Sequence, residues 1–229
     1  MKLVIFNGSP RSRKSNSALL IHHFLRGYDR IDADAVDVHY LAEIKQKEQQ
    51  IRGFENADII LVFFPLYTDS MPGIVKEFFE SIFPLKSAKR KKIGFFVQSG
   101  FPETIHSVYL ARYLEKFAGR LNAEYLGTVI KGGVEGIQVM PPWMTRKLFS
   151  RFGELGEYFA EHRAFSPAIM ETLAKPYLMS PLRRFVFRLM IMTGLSNFYW
   201  NSNLKKNGAF ENRFDQPFKA ESAKEPIAV

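Results

Sequence analysis

The sequence predicts an α/β protein built on a doubly wound parallel sheet of five strands, followed by a helical extension at the carboxyl end. Two observations predict this fold class. Over the first 130 residues, short apolar runs typical of buried strands alternate with segments whose apolar residues recur at helical spacing. One of these runs, residues 59–64, is apolar throughout, which is typical of a central strand covered by helices on both faces.

Five strands and three helices follow from these patterns in chain order. The strands are expected at residues 3–6, 35–41, 58–64, 92–97 and 125–130. The helices are expected from residue 17 onward, at 72–83 and at 104–121. A five-stranded sheet of this kind has strand order 2-1-3-4-5 and binds its ligand at the carboxyl ends of the strands. A Rossmann fold is the structural alternative, but it requires Gly-x-Gly-x-x-Gly after the first strand, where this chain has one glycine.

The pattern changes after the fifth predicted strand. Residues 131–136 form a turn-rich link, residues 143–161 have helical spacing, and prolines then separate several shorter helical pieces. We therefore divide the chain into a domain at residues 1–139 and a helical extension at residues 140–229. The extension is expected to pack on that domain or on a partner subunit.

Composition narrows the classes of partner and of site. The 229 residues contain no cysteine, which excludes disulfides, thiolate-held iron–sulfur clusters and cysteine zinc sites. The five histidines have no ligand spacing, so no metal site is expected. Lys and Arg number 32 against 23 Asp and Glu, giving a net charge of +9, which favours anionic partners. We expect no nucleic-acid partner, because no recognised nucleic-acid-binding module is present.

Targeting signals are also absent from the sequence pattern. The amino terminus has only four apolar residues before Asn7, which is too short for a signal peptide. No stretch approaches the roughly 18 apolar residues of a transmembrane helix. We therefore expect a cytoplasmic protein.

The strongest signal for a binding site is the segment between the first strand and the first helix, Gly8–Ser17. A helix start presents free backbone N–H groups and the positive end of the helix dipole, both of which attract anions. Arg11 adds a guanidinium that can hold a phosphate through two hydrogen bonds. The short polar side chains that add donors are those of Ser9, Ser15, Asn16 and Ser17. The alternative is an ordinary turn whose polar residues only cap the helix.

Two further loops leave the third and fourth predicted strands, at residues 65–73 and 98–103. The switch-point rule places both at the same edge of the sheet as the first loop. Each contains an aromatic residue, Tyr67 or Phe101, and small residues that let the backbone approach a flat ring. This combination is typical of a site for a planar heteroaromatic ligand. The alternative is that the two aromatic side chains only cover the core.

Taken in order, the three loops resemble those of the flavodoxin-like family of NAD(P)H-dependent FMN reductases. The resemblance rests on Gly-Ser-Pro-Arg-x-x-x-Ser-Asn-Ser after the first strand, Pro-Leu-Tyr-x-Asp-x-x-Pro-Gly after the third and Ser-Gly-Phe-Pro-Glu after the fourth. It covers residues 1–130. Some relatives hold an iron–sulfur centre through a cysteine cluster, so this cysteine-free chain resembles the branch without one.

The resemblance implies which residues contact the cofactor. The first loop would bind the FMN phosphate through Ser9, Arg11, Ser15, Asn16 and Ser17. The residues implied around the isoalloxazine and the ribityl chain are Pro65, Leu66, Tyr67, Thr68, Asp69, Ser99, Gly100, Phe101 and Glu103. Asp69 or Glu103 could accept a hydrogen bond from flavin or nicotinamide, and a helix-cap or turn role is the alternative for both.

The activity implied by the resemblance is hydride transfer from NADPH or NADH to FMN, followed by reduction of a small-molecule electron acceptor. The acceptor could be a flavin, a quinone, an azo compound or a nitro compound. No acid–base side chain is required, so we predict no catalytic residue. A non-enzymatic electron carrier of the flavodoxin type is the alternative function, although such carriers are typically shorter and acidic. A nucleotide-binding or scaffold protein without flavin is a further alternative. We expect a homo-oligomer.

The segment at residues 181–194 combines an apolar helix with a narrow basic stripe formed by Arg184 and Arg188. Eight of the eleven residues 185–195 are large and apolar: Phe185, Val186, Phe187, Leu189, Met190, Ile191, Met192 and Leu195. Leaving so much apolar surface in water would be costly. The favoured interpretation is packing against protein, and peripheral membrane contact through a basic amphipathic helix is the less favoured alternative.

Overall fold

The computed structural model describes residues 1–32, 34–84, 91–194 and 197–216. The chain divides into two compact units, Met1–Met179 and Ser180–Val229. Leu195 and residues 217–229 of the predicted extension lie outside the described residues. The packing of the extension on the domain or on a partner subunit stays a prediction.

The first unit is built on a parallel sheet whose strand order is 2-1-3-4-5, as predicted. The strands are β1 (Leu3–Asn7), β2 (Asp37–Tyr40), β3 (Ile59–Pro65), β4 (Lys92–Gln98) and β5 (Glu124–Lys131). Ile5 in the middle of β1 pairs with Val38 on one side and with Leu61 on the other. β1 and β3 are buried along their whole length, which explains their uninterrupted apolar sequences.

The described residues of the first unit also form six α-helices: α1 (Asn16–Tyr28), α2 (Lys47–Asn56), α3 (Gly73–Ile82), α4 (Val108–Arg120), α5 (Pro142–His162) and α6 (Pro167–Leu173). The second unit contains α7 (Pro181–Met192) and α8 (Phe198–Lys206). In the described part of the chain, no helix combines the length and the apolar character needed to cross a membrane.

Helix α2 is missing from the sequence-based description, because its only large apolar residues are Ile51 and Phe54. A polar contact holds it in place. The buried amide of Gln50 donates hydrogen bonds to the carbonyl oxygens of Tyr40 and Glu43, at 2.9 and 3.1 Å. Periodicity of apolar residues cannot reveal a helix that is anchored in this way.

Two apolar cores cover the two faces of the sheet. On one face, α3 and α4 meet through the rings of Phe79 and Phe117, whose centroids are 4.3 Å apart. On the other face, Phe63 and Phe96 of neighbouring strands stack at 3.7 Å and pack beside α1 and α5. The helical segment expected in the extension at 143–161 is therefore α5, and it belongs to the first compact unit.

Helices α1 and α5 cross with their backbones in contact. A Cβ atom on Gly27 of α1 would lie 1.9 Å from the carbonyl oxygen of Gly153 in α5. A Cβ atom on Gly156 would lie equally close to the carbonyl oxygen of Phe24. Only glycine permits this approach, so α5 can lie directly on α1 rather than one side chain further out.

A charged cluster joins the carboxyl ends of the same two helices. The guanidinium of Arg163, which follows α5, donates hydrogen bonds to the Asp32 carboxylate and to the Tyr28 hydroxyl. The Tyr28 hydroxyl in turn donates to Asp32 at 3.0 Å. The Arg163 hydrogen bond stabilises the ionised carboxylate most strongly and holds the pKa of Asp32 at about 2, below its ordinary 3.8.

We expect Gly27→Ala to lower the free energy of unfolding by about 2 kcal/mol or more, because the new methyl group must push two backbones apart. The midpoint of urea unfolding, followed by circular dichroism, measures the change. Gly119→Ala is the matched control, since Gly119 is helical and a Cβ atom there meets nothing within 4 Å. Equal midpoints for the two variants would contradict the close crossing.

We also expect the Asp32–Arg163 pair to make stability depend on pH. The folded-state pKa of Asp32 is lowered, so its contribution is complete above pH 5 and is lost as the pH falls through 3.8 towards 2. Asp32→Asn should cost about 1 to 2 kcal/mol at pH 7 and little near pH 2. Urea unfolding across this range tests it, with the exposed neighbour Asp29→Asn as control. If the free energies of unfolding of Asp32→Asn and of the wild type changed with pH in parallel, the effect would be ruled out.

Candidate functional site

The predicted site residues all lie at the carboxyl edge of the sheet, in or beside the loops that follow β1, β3 and β4. They are Ser9, Arg11, Ser15, Asn16, Ser17, Pro65, Leu66, Tyr67, Thr68, Asp69, Ser99, Gly100, Phe101 and Glu103. The strand order changes direction between β1 and β3, so the loops after these strands flank a crevice. The three loops are called here loop 1 (residues 8–15), loop 2 (66–72) and loop 3 (99–103).

Asn7, the last residue of β1, organises loop 1. Its buried side chain accepts a hydrogen bond from the Ser9 N–H at 3.0 Å. Its amide nitrogen donates to the Ser15 hydroxyl at 3.2 Å and to the Ser12 carbonyl at 3.4 Å. Sequence reasoning missed this residue, although an asparagine that ends an otherwise apolar buried strand was a usable signal.

Ser15 caps α1 and leaves the first N–H groups of that helix open. Its hydroxyl accepts from the Ala18 N–H at 3.0 Å and donates to the Ser12 carbonyl at 2.6 Å. The N–H groups of Asn16 and Ser17, the first two residues of α1, have no acceptor within the helix. Together with the helix dipole they form a site that favours an anion.

The two arginines of loop 1 differ in whether their guanidinium groups are paired. Arg13 donates to the Glu43 carboxylate at 2.9 Å, and its guanidinium lies 4.2 Å above the centre of the Tyr40 ring. Arg11 is exposed, and within the described ranges no side chain pairs with its guanidinium. The exposed Lys14 ammonium is likewise unpaired there. Loop 1 therefore keeps positive charge available beside the start of α1.

The segment that follows β5 closes over loop 1. The Asn16 amide donates to the Val134 carbonyl at 2.9 Å, and the Gln138 amide donates to the Asn16 side-chain oxygen at 2.8 Å. Gln138 also donates to the Lys14 carbonyl at 3.0 Å. The sequence pattern indicated only a turn-rich link here. Its position after a fifth parallel strand, at the same edge as the three loops, was the signal that it belongs to the site.

Loop 2 contains a tight turn at residues 67–70. The backbones of Tyr67 and Ser70 exchange hydrogen bonds of 2.8 and 3.0 Å. Thr68 and Asp69 at the tip have φ angles of 49° and 58°, in the left-handed region that disfavours a β-branched residue such as threonine. The turn holds the side chain of Tyr67 45% exposed at the edge of the crevice.

Loop 3 is tied to the segment after β5. The Phe101 carbonyl accepts from the Ser99 hydroxyl at 3.1 Å and from the Gly133 N–H at 2.7 Å. Gly132 passes so close that a Cβ atom would lie 2.7 Å from the same carbonyl oxygen. These contacts fix the backbone of loop 3 while the Phe101 ring stays 61% exposed.

His106 connects loops 2 and 3. Its Nδ1 atom lies 3.9 Å from a carboxylate oxygen of Asp69 in loop 2. Its ring centre lies 5.0 Å from that of Phe101 in loop 3. Sequence reasoning gave His106 a structural or solvent role, because an isolated histidine carries no spacing that indicates a site. The structure places it between two predicted site residues.

Glu103 has a structural partner. Its carboxylate accepts a hydrogen bond from the Met179 N–H at 2.7 Å. The next residue, Thr104, donates from its hydroxyl to the Ala174 carbonyl at 2.6 Å. Glu103 precedes the short helical turn Thr104–Ser107, but its side chain makes no capping hydrogen bond there and binds Met179 instead.

A narrow cavity lies beneath the loops, between β4, β5 and α1. Its polar lining consists of Ser17, Gln98 and Lys131, surrounded by apolar and aromatic side chains. The Ser17 hydroxyl is fully buried and has no hydrogen-bond partner among the residues that the structure describes. Burial lowers the pKa of the Lys131 ammonium. The lining of this cavity therefore includes a buried hydroxyl without a described partner and a partly desolvated cation.

Comparison with known proteins identifies the architecture of this region. The family model for the flavodoxin-like fold matches residues 1–142. Among curated proteins, none matches the sequence.

Several solved structures share the fold. An FMN-dependent NADH-azoreductase from Bacillus anthracis, in complex with FMN, is 16% identical with a TM-score of 0.52, over 70% of this chain and 100% of that chain. An NADPH-quinone reductase from P. pentosaceus is 19% identical with a TM-score of 0.53, over 67% and 96%. An NADH:FMN oxidoreductase in its apo form is 18% identical with a TM-score of 0.55, over 76% and 96%. At these identities the likeness concerns the fold.

Proposed function

The chain belongs to the flavodoxin-like fold family, and from this membership we propose that it binds FMN and acts as an NAD(P)H-dependent oxidoreductase. One observation carries the proposal. Loop 1 and the start of α1 form an anion-binding site at the switch point between β1 and β3, where this sheet order places its ligand. The solved structures that share the fold include an azoreductase in complex with FMN, which supports the choice of cofactor.

The residues present fit the phosphate end of FMN. Arg11 supplies a guanidinium without a described partner, and the N–H groups of Asn16 and Ser17 point out of the helix start. The Ser9 hydroxyl makes no hydrogen bond within the described residues, so it can donate to the phosphate. Ser15 and the Asn16 amide act indirectly in this proposal, since their internal hydrogen bonds shape the loop. The unsatisfied Ser17 hydroxyl adds a buried donor below it.

The other two loops suit a planar ring. Tyr67 in loop 2 and Phe101 in loop 3 offer exposed aromatic surface, and His106 lies near both Asp69 and Phe101. The exposed Gly100 has no side chain and lets a ligand approach the backbone of loop 3. The remaining residues proposed to surround the ring and the ribityl chain are Pro65, Leu66, Thr68, Asp69, Ser99 and Glu103. Loop 2 is held against β4, because the Leu66 N–H donates to the Gln98 carbonyl at 2.7 Å.

The chemistry that FMN supplies when bound is acceptance of a hydride from NADPH or NADH and delivery of electrons to an acceptor. The protein contributes position and charge: the strained turn of loop 2 and the tied backbone of loop 3 hold the ring surfaces in place. The net charge of +9 attracts the anionic nicotinamide cofactor. The proposed acceptor is a small molecule, such as a flavin, a quinone, an azo compound or a nitro compound. A homo-oligomeric state stays a prediction.

Purified full-length protein should bind FMN with a change in the flavin absorbance, and the loaded protein should accelerate oxidation of NADPH or NADH in the presence of an acceptor. A quinone and an azo dye are tested in parallel, with free FMN at the same concentration as control. FMN binding without accelerated oxidation would favour the electron-carrier alternative. Absence of FMN binding would overturn the proposal as a whole.

We expect Arg11→Ala to weaken FMN binding by about tenfold to a hundredfold, the value of a hydrogen bond to a charged group. Riboflavin, which has no phosphate, should bind equally well to the variant and to the wild type. Fluorescence titration of both ligands measures the difference.

The matched control is Arg13→Ala, which removes the same charge from the same loop. Because Arg13 is paired with Glu43 and lies over Tyr40, its loss should affect FMN much less. Unchanged FMN affinity in Arg11→Ala, or an equal loss for FMN and riboflavin, would show that Arg11 does not hold the phosphate.

A further inference from the structure

Helix α7 presents an unusually apolar surface to solvent. Every one of its twelve residues is exposed. Eight of them are large and apolar, with exposed fractions between 41% and 76%: Leu182, Phe185, Val186, Phe187, Leu189, Met190, Ile191 and Met192. A contiguous apolar surface of this kind marks a docking site for a partner or a membrane.

The charged residues on α7 and α8 are all basic. Arg183, Arg184 and Arg188 lie on α7, and Lys205 and Lys206 end α8. Residues 172–210 contain no Asp or Glu at all. The surface therefore requires a partner that is apolar and negatively charged at once.

The basic stripe and the most apolar side of α7 lie on opposite sides of the helix. Arg184 and Arg188, four residues apart, lie on one side, and Leu182, Val186 and Leu189 lie on the opposite side. A narrow basic side and a broad apolar side are the pattern of a helix that lies in the interface of a membrane. At twelve residues α7 is far shorter than the roughly 20 residues that a spanning helix needs.

We propose that α7 binds the surface of an anionic lipid bilayer, with its apolar side at the acyl boundary and its arginines at the lipid phosphates. A second copy of the chain, paired α7 against α7, complements the helix less well, because it would bring the like charges of two basic helices together. Trp200 in α8, 61% exposed, adds a side chain that favours the interface. This proposal does not depend on the flavin.

The test is flotation of the full-length protein with vesicles of two compositions, pure phosphatidylcholine and phosphatidylcholine with about one quarter phosphatidylglycerol. The protein should float with the anionic vesicles, remain largely unbound with the neutral ones, and dissociate as salt is raised. Particle mass is measured by light scattering in the absence of lipid.

Two variants separate the charge from the apolar side. Replacing Arg183, Arg184 and Arg188 by Gln should weaken binding to anionic vesicles by about a hundredfold. The double change Phe185→Ser and Leu189→Ser should weaken it by more than about tenfold, at low and at high salt. All five positions are exposed, so circular dichroism should match the wild type.

The control removes three charges elsewhere. Arg112, Lys116 and Arg120 are exposed on α4 in the first unit, and their replacement by Gln should leave flotation nearly unchanged. If this control lost as much binding to anionic vesicles as the arginine variant of α7, the effect would come from net charge alone. The assignment to α7 would then be overturned. Absence of flotation would also overturn it. A dimer in solution that Phe185→Ser abolishes would assign the surface to a second copy instead.

Discussion

The candidate site depends on a contact between two backbones on the far side of the sheet from α3 and α4. Because Gly27, Gly153 and Gly156 remove the side chains at the crossing of α1 and α5, the two helices lie directly on each other. The two helices follow β1 and β5, so both start at the carboxyl edge of the sheet. The chain between β5 and α5 must then pass over loop 1, where Val134 and Gln138 bind Asn16. A packing requirement in the core thus shapes a polar loop at the edge.

The fold was largely predictable, because β1, β3 and β4 are largely apolar runs buried on both faces. The order 2-1-3-4-5 is expected for five strands that alternate with helices, and the structure confirms it. Helix α2 was not predictable from periodicity, since Gln50 rather than an apolar stripe holds it. The close crossing of α1 and α5 was equally hidden, because a glycine in a helical pattern does not reveal what approaches it.

The site was predictable in its location and less so in its internal organisation. The rule that parallel strands end at one edge is enough to group loops 1, 2 and 3. It does not show that Asn7 ties loop 1 together, that Arg13 is occupied by Glu43, or that His106 links Asp69 to Phe101. The contacts of Asn7 with Ser15, of Arg13 with Glu43 and of His106 with Asp69 join residues 8, 30 and 37 positions apart along the chain, so no local pattern reports them.

The route by which the chain leaves the first unit has a mechanical consequence. Residues 174–179 run alongside residues 103–105 and are joined to them by five hydrogen bonds, among them those of Glu103 to Met179 and of Thr104 to Ala174. Tension applied beyond Met179 would load these bonds together, in shear, before it reached the sheet. Loop 3, which carries Phe101 and ends at Glu103, would be the first part of the site to receive that load. The chain beyond Met179 and the exposed ring of Phe101 therefore share one point of attachment.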